Sequence, residues 1–291
     1  MRKSQHLYCI TKSFIIQRLS LQIFSPKFNL CYNKTIMEGT TKSAATPRKR
    51  FNLERTKVKL LAAYYGHPAR DLRLICITGT TGKSIVAHYV HEILRAASQP
   101  VAILASDHEI KASILHKFLN DAWKAKATYA IITAPATALG NETFYGLPIY
   151  VAALTDFIPS NLNDIDINAY LESKSTLFRM NPEVVVLNRD DSHYPDFAGF
   201  RGKNETITYG ASSDSDLRID YSKLYRKGCE ASLTIGTRTY TVASFLTGEP
   251  IISYMACAAA IATALNISPD TIAEGIANYE PQPTAPDTPK P

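Results

Sequence analysis

The stretch that most constrains this chain lies between Leu72 and Leu94. Leu72 to Thr78 is a continuous apolar run of strand length, the pattern of a strand buried on both faces. It leads directly into Thr78, Gly79, Thr80, Thr81, Gly82, Lys83 and Ser84, after which Ile85, Val86, Tyr89, Val90, Ile93 and Leu94 recur at helical spacing and make one apolar stripe. Strand, glycine turn and amphipathic helix in that order bring backbone N–H groups and a helix N-terminus to one point, which favours an anion. Gly79 and Gly82 let the backbone of Thr80 and Thr81 come close, Lys83 can reach β and γ oxygens, and the Ser84 hydroxyl can bind Mg²⁺. The common phosphate loop has a glycine where this chain has Ile77, so the match is to a shorter form, GxxGKS. The bland alternative is an ordinary turn and helix cap. The position between a buried strand and an amphipathic helix favours a nucleotide such as ATP, and predicts that Lys83 faces solvent until the ligand arrives.

The alternation continues downstream. Val101 to Leu104, Tyr129 to Thr133, Ile149 to Leu154 and Glu183 to Leu187 read as strands, with helices marked by Ile114, Leu115, Phe118 and Leu119 and by Ile167 to Phe178. Repeated strand and helix predict an α/β fold, a mostly parallel sheet with helices on both faces. Beyond Thr206 the texture changes to short alternating runs, Leu217 to Tyr221, Ala231 to Ile235 and Thr239 to Val242, separated by Gly228 and Gly236, so a small antiparallel β patch is expected there. Helices over Ile251 to Leu265 and Pro269 to Tyr279 close the fold. Ahead of the loop, Leu60 to Tyr65 reads as a short helix ended by Gly66 and Pro68.

The division expected is therefore a basic arm and linker over residues 1–50, a folded part over 51–280 and a Pro-rich tail over 281–291. Residues 1–50 hold ten Lys/Arg against one acid, Glu38, whereas the rest of the chain has 22 basic and 25 acidic residues. A basic arm on a nearly neutral body gives no support to a nucleic-acid groove in the folded part. The first 36 residues read as a transit peptide, as a disordered arm, or as residues ahead of a true start at Met37. Cys9, Cys31, Cys76, Cys229 and Cys257 show no metal-type spacing and read as reduced thiols of a cytoplasmic protein, Cys76 as a small buried hydrophobe. No stretch has the roughly 18 uninterrupted apolar residues of a membrane span.

Three motifs together resemble the Mur ligases. These carry a loop of the form GTTGKT after a strand, and Tyr65, Gly66, His67, Pro68, Leu72 and Leu74 ahead of ITGTTGKS resemble the lead-in of the UDP-N-acetylmuramoyl-tripeptide synthetases in particular. Tyr170 to Phe178 resembles the family's Y-x-x-K-x-x-L-F helix, whose lysine, here Lys174, is carbamylated in that family. Asn188, Asp190 and Asp191 resemble its N-x-D-D motif on the nucleotide side. The resemblance implies a central ATP-binding domain with ATP and Mg²⁺ as cofactors, Lys83 and Lys174 as catalytic groups, and Asn188 and Asp191 beside the nucleotide. It also implies a UDP-N-acetylmuramoyl peptide substrate and peptidoglycan precursor synthesis. The residue-level alternatives are a solvated lysine at Lys174 and capping roles for Asn188 and Asp191.

The chain also departs from the family pattern. Thr133 stands where a metal-binding glutamate is usual, Ser160 and Asn161 stand near its Asp-His pair, and Asp156 is the carboxylate at hand to serve as an oxygen ligand beside Ser84. Gly248 to Tyr254 replaces the G-R-F-N-x-x-N signature, losing its arginine and both asparagines. The third domain of such ligases has no counterpart after residue 280, which leaves two expectations: a ligase completed by a separate chain, or a non-catalytic ATP-binding relic or regulatory module.

Overall fold

The computed structural model describes residues 47–106, 108–158 and 166–280. The expectations for the basic arm, for the Pro-rich tail and for Ser160 and Asn161 lie outside the described residues. The chain enters through α1 (Pro47–Tyr64), a longer helix than the sequence pattern predicts. Its charged first turns have no apolar period to reveal them, yet Lys, Arg, Leu and Glu are good helix formers. Arg55 anchors the helix, donating in a two-pronged pair to Glu142 at 2.5 and 2.8 Å. Gly66 (φ 74°) and His67 (φ 57°) end it in left-handed conformations, and one 3-10 turn, Pro68–Asp71, leads into the sheet.

The central strand β1 (Arg73–Thr78) is followed by α2 (Lys83–Ala96), β2 (Val101–Leu104), α3 (Ala112–Lys124), β3 (Tyr129–Thr133) and α4 (Ala136–Gly140). Then come β4 (Ile149–Leu154), α5 (Ile167–Arg179), β5 (Val184–Asn188), α6 (Tyr194–Phe197) and β6 (Glu205–Gly210). The chain continues with β7 (Leu217–Leu224), β8 (Cys229–Ile235), β9 (Arg238–Ser244), α7 (Glu249–Ala264) and α8 (Pro269–Ala277). One nine-stranded sheet runs β2-β3-β1-β4-β5-β6-β7-β8-β9. Pairing is parallel from β2 through to β7, and antiparallel across β7, β8 and β9. The antiparallel patch is thus the far end of the same sheet.

Period-two geometry sends alternate β1 side chains to opposite faces. Ile75 and Ile77 join one core with Val86, Val90 and Ile93 of α2, most of α7, and Ile272 and Ile276 of α8. Leu74 and Cys76 join a second core with Leu115 and Leu119 of α3 and Leu177 and Phe178 of α5. Cys76 is fully buried, and burial pushes its thiol pKa up. Strand β6 and the short helices α4 and α6 escaped the pattern reading. α7 is buried nearly all round, and Ala256, Ala258, Ala259, Ala260 and Ala262 give it the narrow profile needed to sit inside the core. No helix among the described residues is long and apolar enough to cross a membrane.

α8 packs on α2 at Gly275. A Cβ added there would lie 2.3 Å from the Ile93 Cα and 2.6 Å from its backbone N, atoms that cannot turn aside. Gly275→Ala is therefore expected to lower stability by about 1–3 kcal/mol. Thermal unfolding checks this, with Gly199→Ala, whose Cβ would meet nothing within 4 Å, as the control that leaves the melting temperature almost unchanged.

Candidate functional site

β1 lies between β3 and β4; the chain crosses from it through α2 to β2 on one side, while β4 continues the sheet on the other. Open parallel sheets bind ligands beyond the carboxyl ends of the strands at such a reversal. At the end of β1 the chain turns into the loop Gly79 to Gly82 and enters α2 at Lys83. Two close approaches shape that loop. Thr155 N donates to the Thr78 carbonyl at 2.9 Å, and the Thr155 side chain presses so near that a Cβ on Gly79 would fall 1.8 Å from its Oγ1. Gly82 caps α2 with φ 74°, where a Cβ would meet the Tyr254 ring at 2.2 Å.

The donors of Thr80 and Thr81 already have protein acceptors. Asp156 follows Thr155, and its Oδ1 accepts from Thr80 N at 2.6 Å and Thr81 N at 2.8 Å. Its Oδ2 accepts from the Thr81 hydroxyl. Tyr254 shares a hydrogen bond with that hydroxyl at 2.7 Å, and the Tyr170 hydroxyl donates to Thr80 Oγ1 at 3.3 Å. Thr155 Oγ1 donates to the Thr81 carbonyl at 2.7 Å. Lys83 is buried, not solvent-facing as the sequence suggested, and its Nζ donates to the Thr80 carbonyl at 3.1 Å. The ammonium folds back on its own loop. Ser84 is the second residue of α2.

Lys174 is 0% exposed, which removes the reading of a solvated surface lysine. Among the described residues its Nζ meets no hydrogen-bond acceptor; it lies 4.5 Å from the centre of the Tyr170 ring, four residues earlier on α5. Burial first, and then the charge of Lys83, bring its pKa down to about 7, against the opposing pull of Asp156 and Asp191. Lys83, Lys174, Asp156 and Asp191 thus converge beyond the ends of β1, β4 and β5.

Asn188 and Asp191 hold backbone groups of the segments that leave β4 and β5. The Asn188 amide donates to the Thr155 carbonyl at 3.1 Å and its Oδ1 accepts from Asp190 N at 3.1 Å. Asp191 accepts from Phe157 N at 2.5 Å and His193 N at 2.8 Å, and burial raises its pKa. Thr133 Oγ1 accepts from Ser106 N at 2.8 Å and donates to the Ser106 carbonyl at 2.8 Å, so it ties down the chain after β2. Among the described residues no three His, Cys, Asp or Glu side chains cluster closely enough to hold a metal ion. A Mg²⁺ carried on phosphates needs only one or two protein oxygens, and the donor set at the loop fits that kind of ion through Ser84. The motif reading gave Thr155 no role and met Tyr254 only as the end of the stretch that replaces the family signature; Tyr170 was visible only as part of the Lys174 helix.

A glycine loop between a central parallel strand and a helix N-terminus, with a buried lysine folded onto it, defines a phosphate-loop α/β protein. The chain belongs to the Mur ligase middle domain family, whose profile matches residues 77–262. It is 29% identical over 245 residues to a UDP-N-acetylmuramoyl-L-alanyl-D-glutamate--2,6-diaminopimelate ligase of Bacillus licheniformis, covering 77% of this chain and 50% of that protein. The counterpart in Solibacter usitatus is 25% identical over 238 residues, covering 76% of this chain and 48% of that one. The chain therefore spans about half the length of these relatives. A solved ligase of the same name superposes with a TM-score of 0.71 at 21% identity, covering 84% of this chain and 54% of that one. Mycobacterium tuberculosis folylpolyglutamate synthase, solved with ADP and AMPPCP, superposes with a TM-score of 0.66 at 16% identity, covering 78% and 63%. These likenesses show a shared fold.

The depressed Lys174 pKa fixes a sign. An unfolded lysine titrates near 10.4, so between there and about pH 7 the unfolded chain binds more protons and stability falls as pH falls. Lys174→Met removes that contribution. In CO₂-free buffer the variant is expected to exceed the parent by on the order of a few kcal/mol near neutral pH, a gap that closes towards pH 10. Urea midpoints across that range check this. A variant markedly weaker at neutral pH would mean that the ammonium is paired.

Proposed function

We propose that this chain binds ATP with Mg²⁺ at the loop Gly79 to Ser84 and is the nucleotide-binding part of a cytoplasmic acid–amino acid ligase of peptidoglycan precursor synthesis. The observation that carries the reading is the loop itself, matched by the family profile and joined to α2 through Gly82 and Lys83. The N–H groups of the loop and the Lys83 ammonium would neutralise phosphate oxygens, and the Ser84 hydroxyl would hold Mg²⁺, which supplies charge neutralisation on the phosphates. In the reaction expected, a substrate carboxylate oxygen takes the γ-phosphoryl group and ADP leaves. An amine nitrogen then attacks the acyl carbon, phosphate departs, the nitrogen loses a proton and an amide remains.

Lys174 belongs to this reading as a modified residue. A primary amine adds to CO₂ only in its neutral form, giving a carbamate and releasing one proton. A lysine whose pKa burial has brought down to about 7 supplies that form near neutrality, and the carbamate oxygens would give the site an anionic ligand that Thr133 does not. Asn188 and Asp191 would act by holding the ends of β4 and β5 in place beside the nucleotide. A UDP-N-acetylmuramoyl peptide is the substrate class that the relatives' names suggest.

A second reading, an ATP-binding module without ligase activity, is favoured by Thr133, whose hydroxyl is committed to the Ser106 backbone where the family pattern has a carboxylate. Calorimetry with ATP, with and without Mg²⁺, tests the first step: the parent is expected to bind, and Lys83→Ala to lose most of the affinity. Equal affinity in the two would remove the nucleotide assignment. Amide formation from UDP-N-acetylmuramoyl dipeptide and diaminopimelate or lysine separates the readings. The isolated chain is expected to be inactive, since positioning of the reacting groups contributes roughly 7–11 kcal/mol, and activity restored by a partner chain selects the ligase.

A further inference from the structure

Resting on that nucleotide-binding reading, we propose that the carboxylate of Asp156 is an internal ligand of the phosphate loop, seated in the anion position of Thr80 and Thr81, which a polyphosphate must displace to bind. Consecutive backbone N–H groups converging on one oxygen are the donor pattern by which such loops hold a phosphate. Here Asp156 Oδ1 takes Thr80 N at 2.6 Å and Thr81 N at 2.8 Å, while Oδ2 takes the Thr81 hydroxyl. The contact is built into the backbone as well. Thr80 N also reaches the Asp156 carbonyl at 3.1 Å, and the neighbouring Thr155 hydroxyl donates to the Thr81 carbonyl at 2.7 Å.

Three features make this a competing ligand. The carboxylate carries the same charge sign as a phosphate, so the two cannot share the donors without repulsion. It is tethered at the end of β4, one residue from the Thr78–Thr155 backbone bond, and an acceptor attached to the same fold acts at a high effective concentration. The hydroxyls of Thr80 and Thr81 are held from the other sides by Tyr170 and Tyr254, so both threonines of the loop are engaged by the chain's own side chains. Asp156 thereby lowers the affinity for any polyphosphate while keeping the loop in its binding shape. As a metal ligand it would do the opposite, raising affinity in the presence of Mg²⁺.

The test is binding of ATP and of inorganic pyrophosphate to the full chain, with and without Mg²⁺, for the parent, Asp156→Asn and Asp156→Ala. Asp156→Asn keeps the shape and one acceptor without the charge; if Asp156→Ala unfolds, Asp156→Asn decides. Both ligands are expected to bind the Asp156→Asn variant about ten- to a hundredfold more tightly in the absence of Mg²⁺, the range of one charge-assisted hydrogen bond set released. The variant should also melt lower than the parent without anion and gain more on adding pyrophosphate. Unchanged affinity with the parent still binding ATP overturns this proposal alone. Weaker binding only when Mg²⁺ is present makes Asp156 a metal ligand and overturns it too, and folded variants and parent that all ignore both ligands overturn it together with the nucleotide assignment.

Discussion

The site rests on one close approach, that of the chain leaving β1 to the chain leaving β4. The parallel pair ends at Thr78 opposite Leu154, and the next residues, Gly79 and Thr155, are in contact that only a residue without a Cβ allows. From that contact follow the position of the loop, the reach of Asp156 to its N–H groups, and the angle at which α2 starts. Interiors pack too densely for such a contact to be loosened locally. The first residue of the loop is thus fixed by the sheet beneath it, although it is a glycine.

Around it the charges are arranged so that none is indifferent to the others. Lys83 and Lys174 lie near one another, and burial with mutual repulsion brings the deeper one, Lys174, down towards neutrality. Asp156 and Asp191 restrain that fall, but their oxygens are already engaged, those of Asp191 by two backbone N–H groups and those of Asp156 by two backbone N–H groups and the Thr81 hydroxyl. Two amines and two carboxylates thus meet at the ends of neighbouring strands. The buried Lys174 amine is the one most sensitive to the charges around it, because its surroundings offer the least competing solvation.

Much of the fold was legible because β-strands in a covered parallel sheet are unbroken apolar runs. β2, β3 and β4 were read to their observed limits, as was the helix that carries Lys174 to within a residue. β6 was missed because Thr206, Thr208 and Tyr209 give it the texture of an antiparallel strand, although it pairs in parallel with β5. Helices of four or five residues, such as α4 and α6, have too few turns to show a period. The loop and Lys174 were legible as motifs, yet the partners that define them were not: Tyr254 lies 173 positions from Thr81. Contacts of that separation follow from topology, and no local pattern of residue types encodes them.

The alanine-rich helix α7 has a consequence for the site through Tyr254, which it carries onto Gly82. Its axis is held against the sheet and α2 by methyl groups, the smallest side chains that still exclude water. The clearance between tyrosine ring and loop is therefore determined within the hydrophobic interior, several residues along the helix from any charged group. A single added methylene at Ala258 or Ala259 would tilt or lift α7 and so change the aperture over the loop without touching it. The space over the loop is in this sense a property of core volume, and drift in the size of buried alanines is a route by which a descendant of this fold could change it while every polar residue stayed the same.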